Sequence, residues 1–274
     1  MGRLSQLYPT AFISGSSSGI GRAFCEMLLA EGVRVWGTSR DLSRLEDLAK
    51  AHPGAFFAAR LDLADSRGAV SAYRQCAAAA GGAFDLVIEN AGYGIFGDFS
   101  SVEARTWRAQ ADEMLGSTLE LSHEAFRSMR TRGRGCLVHV SSIAGEFPLP
   151  YMSVYNMAKA GLSALSESLI FEARGSSITV IDFRPGDYRT EFNQSMKKGS
   201  TTEATQRAWR ALDAMFNAAP EPARAARDLR RALLRGHSGV VRSGGFFQAT
   251  AAPFLARFIP LGLRRSMTAR YFGA

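Results

Sequence analysis

Apolar positions in the first 190 residues follow two periods. Short, nearly continuous apolar runs predict strands at Ala11–Ser14, Val33–Thr38, Phe56–Leu61, Phe84–Glu89, Cys136–Ser141 and Ile178–Phe183. Longer stretches between them predict helices over Ile20–Glu31 and Leu42–Ala51, and around Ala69–Ala80, Glu103–Arg130 and Tyr151–Ala173. Strand and helix alternating in this way imply an α/β fold, a parallel sheet with helices on both faces. Runs such as Leu137–Val140 and Ile178–Asp182 fit strands covered on both sides.

After Thr190 the pattern changes. Thr201–Ala219 reads as one helix or two, Pro222–Arg235 as another, and a short strand falls around Val240–Arg242. No Pro/Gly-rich linker or internal repeat divides the chain. The expectation is therefore a single domain over residues 1–274. Residues 10–190 form its core, 191–235 a helical substrate lid and the helix after it, and 236–274 the last strand and a basic, apolar tail.

Charge and cysteine content narrow the classes. The chain has 33 Lys+Arg against 25 Asp+Glu, a net +8, and the whole excess lies beyond residue 199. These cations are not interleaved with aromatics on a recognisable nucleic-acid-binding fold, so no nucleic-acid partner is expected. The opening MGRLSQLYPTAF lacks the apolar core of a signal peptide, and no apolar run reaches membrane-spanning length, so a cytoplasmic protein is expected. Cys25, Cys76 and Cys136 are sparse and odd in number. They suit a reducing compartment, offer no metal-ligand spacing, and read as buried small side chains.

Candidate chemistry sits at strand ends. The first strand runs into Ser14–Gly21, SGSSSGIG, and a helix follows at once. Gly15, Gly19 and Gly21 let the backbone of Ser17, Ser18 and Ile20 approach a pyrophosphate, with the helix N-terminus offering N–H donors. At the end of the second strand, Ser39 stands where an acid would accept both ribose hydroxyls, and Arg40 follows. A guanidinium there pairs with a 2′-phosphate, which favours NADP(H) over NAD. Farther on, Tyr155 and Lys159 are one helical turn apart, and Ser142 ends the fifth strand thirteen residues before Tyr155. A serine hydrolase is excluded: Ser142 has no GxSxG turn, and His139 and His123 read as a strand and a helix-face residue.

The glycine turn, the Asn90-Ala91-Gly92 segment, Ser142–Tyr155–Lys159 and Pro185-Gly186 with Thr190 occur in one order, and together they resemble the short-chain dehydrogenase/reductase family between about Thr10 and Thr190. Ser14 replaces a threonine of its TGxxxGxG turn, and Glu89 the first asparagine of its NNAG. The resemblance implies a Rossmann-like doubly wound sheet of about seven strands and a hydride transfer between NADP(H) and a carbonyl or secondary alcohol. In that reading Tyr155 is the general acid/base, Lys159 lowers its pKa and binds the nicotinamide ribose, and Ser142 holds the substrate oxygen. Asp62 and Leu63 would meet the adenine, Asn90, Ala91 and Gly92 the cofactor backbone, and Pro185, Gly186 and Thr190 the nicotinamide. A homo-oligomer, dimer or tetramer, is implied as well.

One position departs from the family. Its usual asparagine on the long helix falls on Met114 when counted from Trp107 and the Met129 region, and on Glu113 when counted back from Gly116. The proton relay to Lys159 is then rerouted, through Glu113, or weakened. That departure opens an alternative, an NADP-binding regulatory or scaffolding protein with little turnover. The tail from Phe254 to Phe272 has four arginines, no acid and many large apolar residues. It reads either as a peripheral membrane contact or as a cover over the pocket or a subunit contact, and the layout resembles hydroxysteroid and retinol dehydrogenase relatives, pointing to a lipophilic substrate.

Overall fold

The computed structural model describes residues 4–199 and 202–273. A short α1 (Leu4–Leu7) precedes β1 (Thr10–Ser14), α2 (Gly19–Ala30), β2 (Arg34–Ser39), α3 (Glu46–Ala51), β3 (Phe56–Arg60), α4 (Ser66–Ala80) and β4 (Leu86–Glu89). Next come β5 (Ile95–Phe96), α5 (Ala104–Ala111), α6 (Thr118–Arg132), β6 (Arg134–Val140), α7 (Ser153–Glu172) and β7 (Ser177–Pro185). The chain continues through β8 (Lys197–Lys198), α8 (Glu203–Asn217), α9 (Ala223–Leu234), β9 (Gly239–Ser243), α10 (Ala252–Leu255) and α11 (Leu261–Phe272).

Seven strands form one parallel sheet in the order β3-β2-β1-β4-β6-β7-β9, the doubly wound Rossmann-like arrangement. Strand residues alternate between two cores. Ile13, Cys136, Val138 and Phe183 pack with Phe24, Leu28, Leu229 and Leu233 of α2 and α9. Phe12, Leu137 and Val180 face the opposite side, with Tyr73, Leu121 and Phe126 of α4 and α6. Phe12 meets Tyr73 edge-on at a centroid distance of 4.9 Å, and Phe24 meets Phe183 at 5.5 Å. Cys25, Cys76 and Cys136 are buried within these two cores.

Several elements differ from the expectation. The long helix over Glu103–Arg130 divides into α5 and α6 around a π-helical turn, Asp112–Ser117, that contains Gly116. Leu42–Ala51 opens with a 3-10 turn at Leu42–Leu45, capped by the Asp41 carboxylate, before α3 begins. Residues 203–217 form a single helix; Thr201 lies outside the described residues. The two-residue strands β5 and β8 pair with each other, a ribbon too short to leave a periodic signal. In the tail, Pro260 caps α11 and separates it from α10.

α8 and α11 bring a third apolar cluster to the C-terminal edge of the sheet. There Phe96, Met152, Met196, Leu212, Phe216 and Phe272 pack together, with Tyr155 and Phe192 against them. Among the described residues no helix is long and apolar enough to cross a membrane.

Candidate active site

Parallel strands end on one side of the sheet, and a cleft of about 800 Å³ opens there. Its first wall is the turn after β1. Gly15 and Gly19 adopt φ of 71° and 56°, the left-handed region that side chains avoid. Gly21 needs its missing side chain for a different reason: a Cβ there would lie 2.1 Å from the Gly15 carbonyl oxygen and 2.4 Å from Asn90 Nδ2. The turn is latched to the segment after β4. Ser14 Oγ accepts from the Asn90 and Ala91 N–H groups, each at 3.0 Å, and Asn90 Nδ2 donates to the Gly15 carbonyl at 2.9 Å. Ser18 precedes α2 without capping it by its side chain, so the helix's first N–H groups suit an anion. This cradle fits a dinucleotide pyrophosphate.

After β2, Ser39, Arg40 and Arg44 line the cleft. Asp41, the nearest acid, is engaged elsewhere, accepting from Ser43 N–H at 3.0 Å and Ser43 Oγ at 2.8 Å. Arg44 forms an ion pair with Glu191 across the cleft. Asp62 also lines the wall and caps its own turn by accepting from Ala64 N–H at 3.1 Å. Leu63 completes this part, while Thr190 lies against Gly19 of the turn after β1, 3.1 Å from the point a Cβ would occupy there.

The reacting end is carried by β6, α7 and the turn after β7. Ser142 Oγ accepts from Ala144 N–H at 3.0 Å, which fixes the serine at the end of its strand. Tyr155 and Lys159 project from one face of α7, with the ammonium 5.8 Å from the Tyr155 ring centroid. Burial pushes the Tyr155 phenol up to about 12, while hydrogen bonding with Ser142 acts in the opposite direction. Ser142 Oγ also lies 3.5 Å from the Pro185 carbonyl, and both it and Tyr155 line the cleft. Lys159 is not the dominant influence on the phenol; its Nζ donates to the Val140 carbonyl at 2.7 Å, and burial lowers its own pKa to about 8.

Upstream, Tyr151 adopts φ 60°, the one non-glycine residue in the left-handed region among the described residues. Asn156 steadies the neighbouring loop by accepting from Leu149 N–H at 3.2 Å and donating to the Leu149 carbonyl at 2.8 Å. These contacts fix Leu149 and Met152 as an apolar wall beside Tyr155.

Both candidate asparagine positions are now placed. Met114 is buried, and its Cε lies 3.2 Å from where a Gly92 Cβ would be, a point itself 3.7 Å from Lys159 Nζ. Glu113 hydrogen-bonds with Tyr93, and its charged neighbours are Lys197, Asp62 and Arg40. It lines the cleft, and its charged neighbours are at the Arg40 and Asp62 side rather than at Lys159.

Glu89 belongs to a buried network through its Oε2, while its Oε1 is buried without a partner. Burial raises its carboxyl to about 8, so it carries a proton at neutral pH. Burial likewise lowers His139 to about 4, leaving it neutral. Ser122 Oγ lies 2.7 Å from Glu89 Oε2, 2.7 Å from the Thr118 carbonyl and 3.0 Å from His139 Nε2. Ser166 donates to the Leu162 carbonyl at 2.8 Å, so His139 Nδ1 carries the hydrogen it shares with Ser166 at 2.7 Å. His139 is a strand residue in a structural network, as its apolar surroundings imply.

Of the residues expected to touch cofactor or substrate, all from Gly15 to Thr190 line the cleft except Gly21, which stands behind its wall. Sequence reasoning missed Arg44, Tyr93, Asp187, Phe192, Gln248 and Tyr271, which also line it. Asp187 sits inside the PGxxxT segment and was legible there; the others had no motif to mark them.

The short chain dehydrogenase family matches residues 9–201. An uncharacterised oxidoreductase of Schizosaccharomyces pombe is 29% identical over 212 residues, covering 76% of this chain and 71% of the relative. Serine 3-dehydrogenase of Agrobacterium fabrum is 28% identical over 208 residues, 74% of this chain and 81% of its own. Among solved structures, a short-chain dehydrogenase from Streptomyces avermitilis superposes with a TM-score of 0.82 at 28% identity, covering 93% of this chain and 95% of that one.

Proposed function

Because the chain belongs to the short-chain dehydrogenase family, we propose that it is an NADP(H)-dependent oxidoreductase that interconverts a lipophilic ketone and its secondary alcohol, with Tyr155 as general acid/base. The carrying observation is that Ser142, Tyr155 and Lys159 all face one end of the glycine-cradled cleft, with the Lys159 ammonium 5.8 Å from the Tyr155 ring centroid. Two hydroxyls that face one space can share one substrate oxygen.

The cofactor, when bound, supplies or accepts the hydride. This chain's residues do the remainder. Ser142 donates to the substrate oxygen and holds it against Tyr155. Tyr155 gives its proton to that oxygen in reduction and takes it back in oxidation. Lys159 brings a buried ammonium beneath the phenol and a donor for the nicotinamide ribose. The glycine turn with Ser17, Ser18 and Ile20 receives the pyrophosphate. Asp62 and Leu63 receive the adenine, Asn90, Ala91 and Gly92 back the cofactor, and Pro185, Gly186 and Thr190 receive the nicotinamide. Arg40 with Arg44 favours a 2′-phosphate, since Asp41 is committed to a helix cap.

Phe147, Leu149, Met152, Phe192, Met215 and Phe216 line the part of the cleft beyond Tyr155, which supports an apolar substrate. The segment from Glu191 to Lys197 and α8 act as the lid over it, α9 being packed on α2 in the core, with α11 closing one side. Oxidation of NADPH and of NADH, followed by absorbance over a series of aliphatic, aromatic and polycyclic ketones, tests the assignment. Faster turnover with NADPH and with larger apolar ketones is expected; NADH preference, or turnover confined to small polar carbonyls, contradicts it.

Two surfaces support partners. Phe246 and Phe258 are 74% and 72% exposed, and Phe254, Leu255, Leu261 and Leu263 are exposed as well. Arg257, Arg264, Arg265 and Arg270 share this acid-free tail, which supports peripheral contact with an anionic membrane beside the cleft mouth. Co-sedimentation with anionic vesicles, lost in high salt or in Phe254→Ser/Phe258→Ser, is the expected result; no pelleting at low salt removes this reading. Leu119, Met157 and Phe171 are exposed on α6 and α7, which supports pairing of two copies through the long helices. Light scattering reads the resulting mass.

A further inference from the structure

Arg184 on β7 and Arg242 on β9 stand directly opposite each other in the sheet register. Like charges at such a cross-strand pair repel. One carboxylate relieves both. Glu146 Oε1 accepts from Arg184 Nη1 at 2.5 Å and from Arg242 Nε at 2.8 Å, and Glu146 Oε2 accepts from Arg242 Nη2 at 3.1 Å. Arg184 Nε also donates to the fully buried Asp182 at 2.7 Å, whose other oxygen accepts from Ser141 Oγ. These contacts form one chain, from Ser141 through Asp182, Arg184 and Glu146 to Arg242, along the C-terminal ends of β6, β7 and β9.

Of these five residues only Ser141 lines the cleft. Four of them are nevertheless one residue from a group at its reacting end. Ser141 precedes Ser142, and Glu146 precedes Phe147, Pro148 and Leu149 of the apolar wall. Arg184 precedes Pro185, whose carbonyl lies 3.5 Å from Ser142 Oγ. Arg242 precedes Ser243, whose carbonyl accepts from the Gly186 N–H at 2.7 Å.

The turn between Ser142 and Glu146 is tight. Ser142 Oγ accepts from Ala144 N–H at 3.0 Å, and the Ser142 carbonyl from Gly145 N–H at 3.1 Å. Gly145 packs on α7, where a Cβ would lie 3.2 Å from the Ala160 nitrogen. The turn thus lies between the helix that carries Tyr155 and Lys159 and the ion-pair chain, and both of its ends are tied to that chain. A buried ion pair adds little stability over apolar packing, because desolvation offsets the attraction. What charge-assisted hydrogen bonds supply here is direction.

We infer that Glu146, held by Arg184 and Arg242, is a positioning residue for hydride transfer. It draws the turn after β6 onto the sheet end and so sets Ser142 Oγ against the oxygen that Tyr155 protonates. The assignment rests on the oxidoreductase reading above. Neutralising Glu146 loosens the turn and leaves two arginines facing each other, so alignment and stability are both lost. Neutralising Arg242 as well removes the repulsion and restores stability alone.

The test follows reduction of the ketone that the wild type turns over fastest, in Glu146→Gln and in Glu146→Gln/Arg242→Gln. In both, kcat is expected to fall about tenfold, the scale of a sub-ångström displacement. The melting temperature should drop by a few degrees in the single variant and recover in the double. Ser142→Ala should cost about 100-fold in the wild type but only about tenfold in the Glu146→Gln background, because Glu146 acts through Ser142. A kcat that recovers together with the melting temperature, or an equal cost of Ser142→Ala in both backgrounds, overturns the proposal. Hydrogen exchange of the NADPH-saturated proteins gives a readout without turnover. Amides of residues 142–149 should exchange about tenfold faster in both variants, while those of residues 14–21 stay unchanged; unaltered exchange at 142–149 also overturns it. Tyr155-dependent reduction with undiminished kcat in Glu146→Gln sinks this inference and leaves the oxidoreductase reading standing. Faster exchange confined to the turn, in a protein without Tyr155-dependent turnover, sinks that reading and leaves the tether standing.

Discussion

The two ends of the cleft are built from different materials. At the cofactor end the walls are backbone: glycines without room for a Cβ, and a Ser14 hydroxyl latched to the Asn90 and Ala91 N–H groups. At the substrate end the walls are side chains from segments far apart in sequence, including Met152, Phe192, Phe216 and Phe272. The first design fixes one ligand shape within fractions of an ångström. The second fixes a polarity and leaves the shape to whichever side chains fill the space. A shared cofactor can therefore sit in the first while substrates vary in the second.

The sharpest contrast comes from adding one carbon at each end. Gly21→Ala forces a Cβ into the Gly15 carbonyl, and cofactor affinity is expected to fall by at least about 100-fold, on the scale of overpacking a rigid site. Gly262→Ala, in α11 where nothing lies within 4 Å of an added Cβ, is expected to leave cofactor affinity intact and to stabilise by up to about 1 kcal/mol. Fluorescence titration and thermal melts check the pair; comparable losses of affinity at both positions would erase the distinction.

A smaller effect is expected at Arg40. Arg40→Ala should lower the preference for NADPH over NADH by about tenfold, the scale of one charge-assisted hydrogen bond at an exposed site. An unchanged preference would move the 2′-phosphate contact to Arg44.

The buried Glu89 gives a pH test of the backbone-built end. Its folded pKa, about 8, is above the ordinary carboxyl value, so the unfolded chain releases this proton first. Stability therefore declines as pH rises from about 5 to about 8 and levels off above that. Glu89→Gln removes the dependence, and its melting temperature should exceed the wild type's by a gap of a few degrees that widens over this window. His139 titrates in the opposite sense, below about 6.5, and is common to both proteins. A gap that is constant with pH would mean that Glu89 is ionised in the fold.

The same division explains what was legible in the sequence. The six strands of the main sheet before Thr190 and the glycine turn were readable because apolar periodicity and backbone sterics are local. Ser142, Tyr155 and Lys159 were readable because helix geometry converts spacing into a shared face. The π-helical turn at Asp112–Ser117 was not, since a helix-period pattern runs through it and the bulge depends on tertiary packing. The facing directions of Met114 and Glu113 were hidden for that reason. Gln248 was invisible because its role depends on a meeting with Asp187 across 61 residues. The raised pKa of Tyr155 was hidden too, because it comes from burial that only the assembled fold supplies.

If Tyr155 moves the proton, the cofactor end binds independently of it. The direct measurement is Tyr155→Phe, assayed for NADPH affinity by fluorescence and for ketone reduction by absorbance on the same preparation. The account predicts unchanged NADPH affinity with kcat reduced by about 10²–10⁴-fold. Retained kcat in the phenylalanine variant would contradict it.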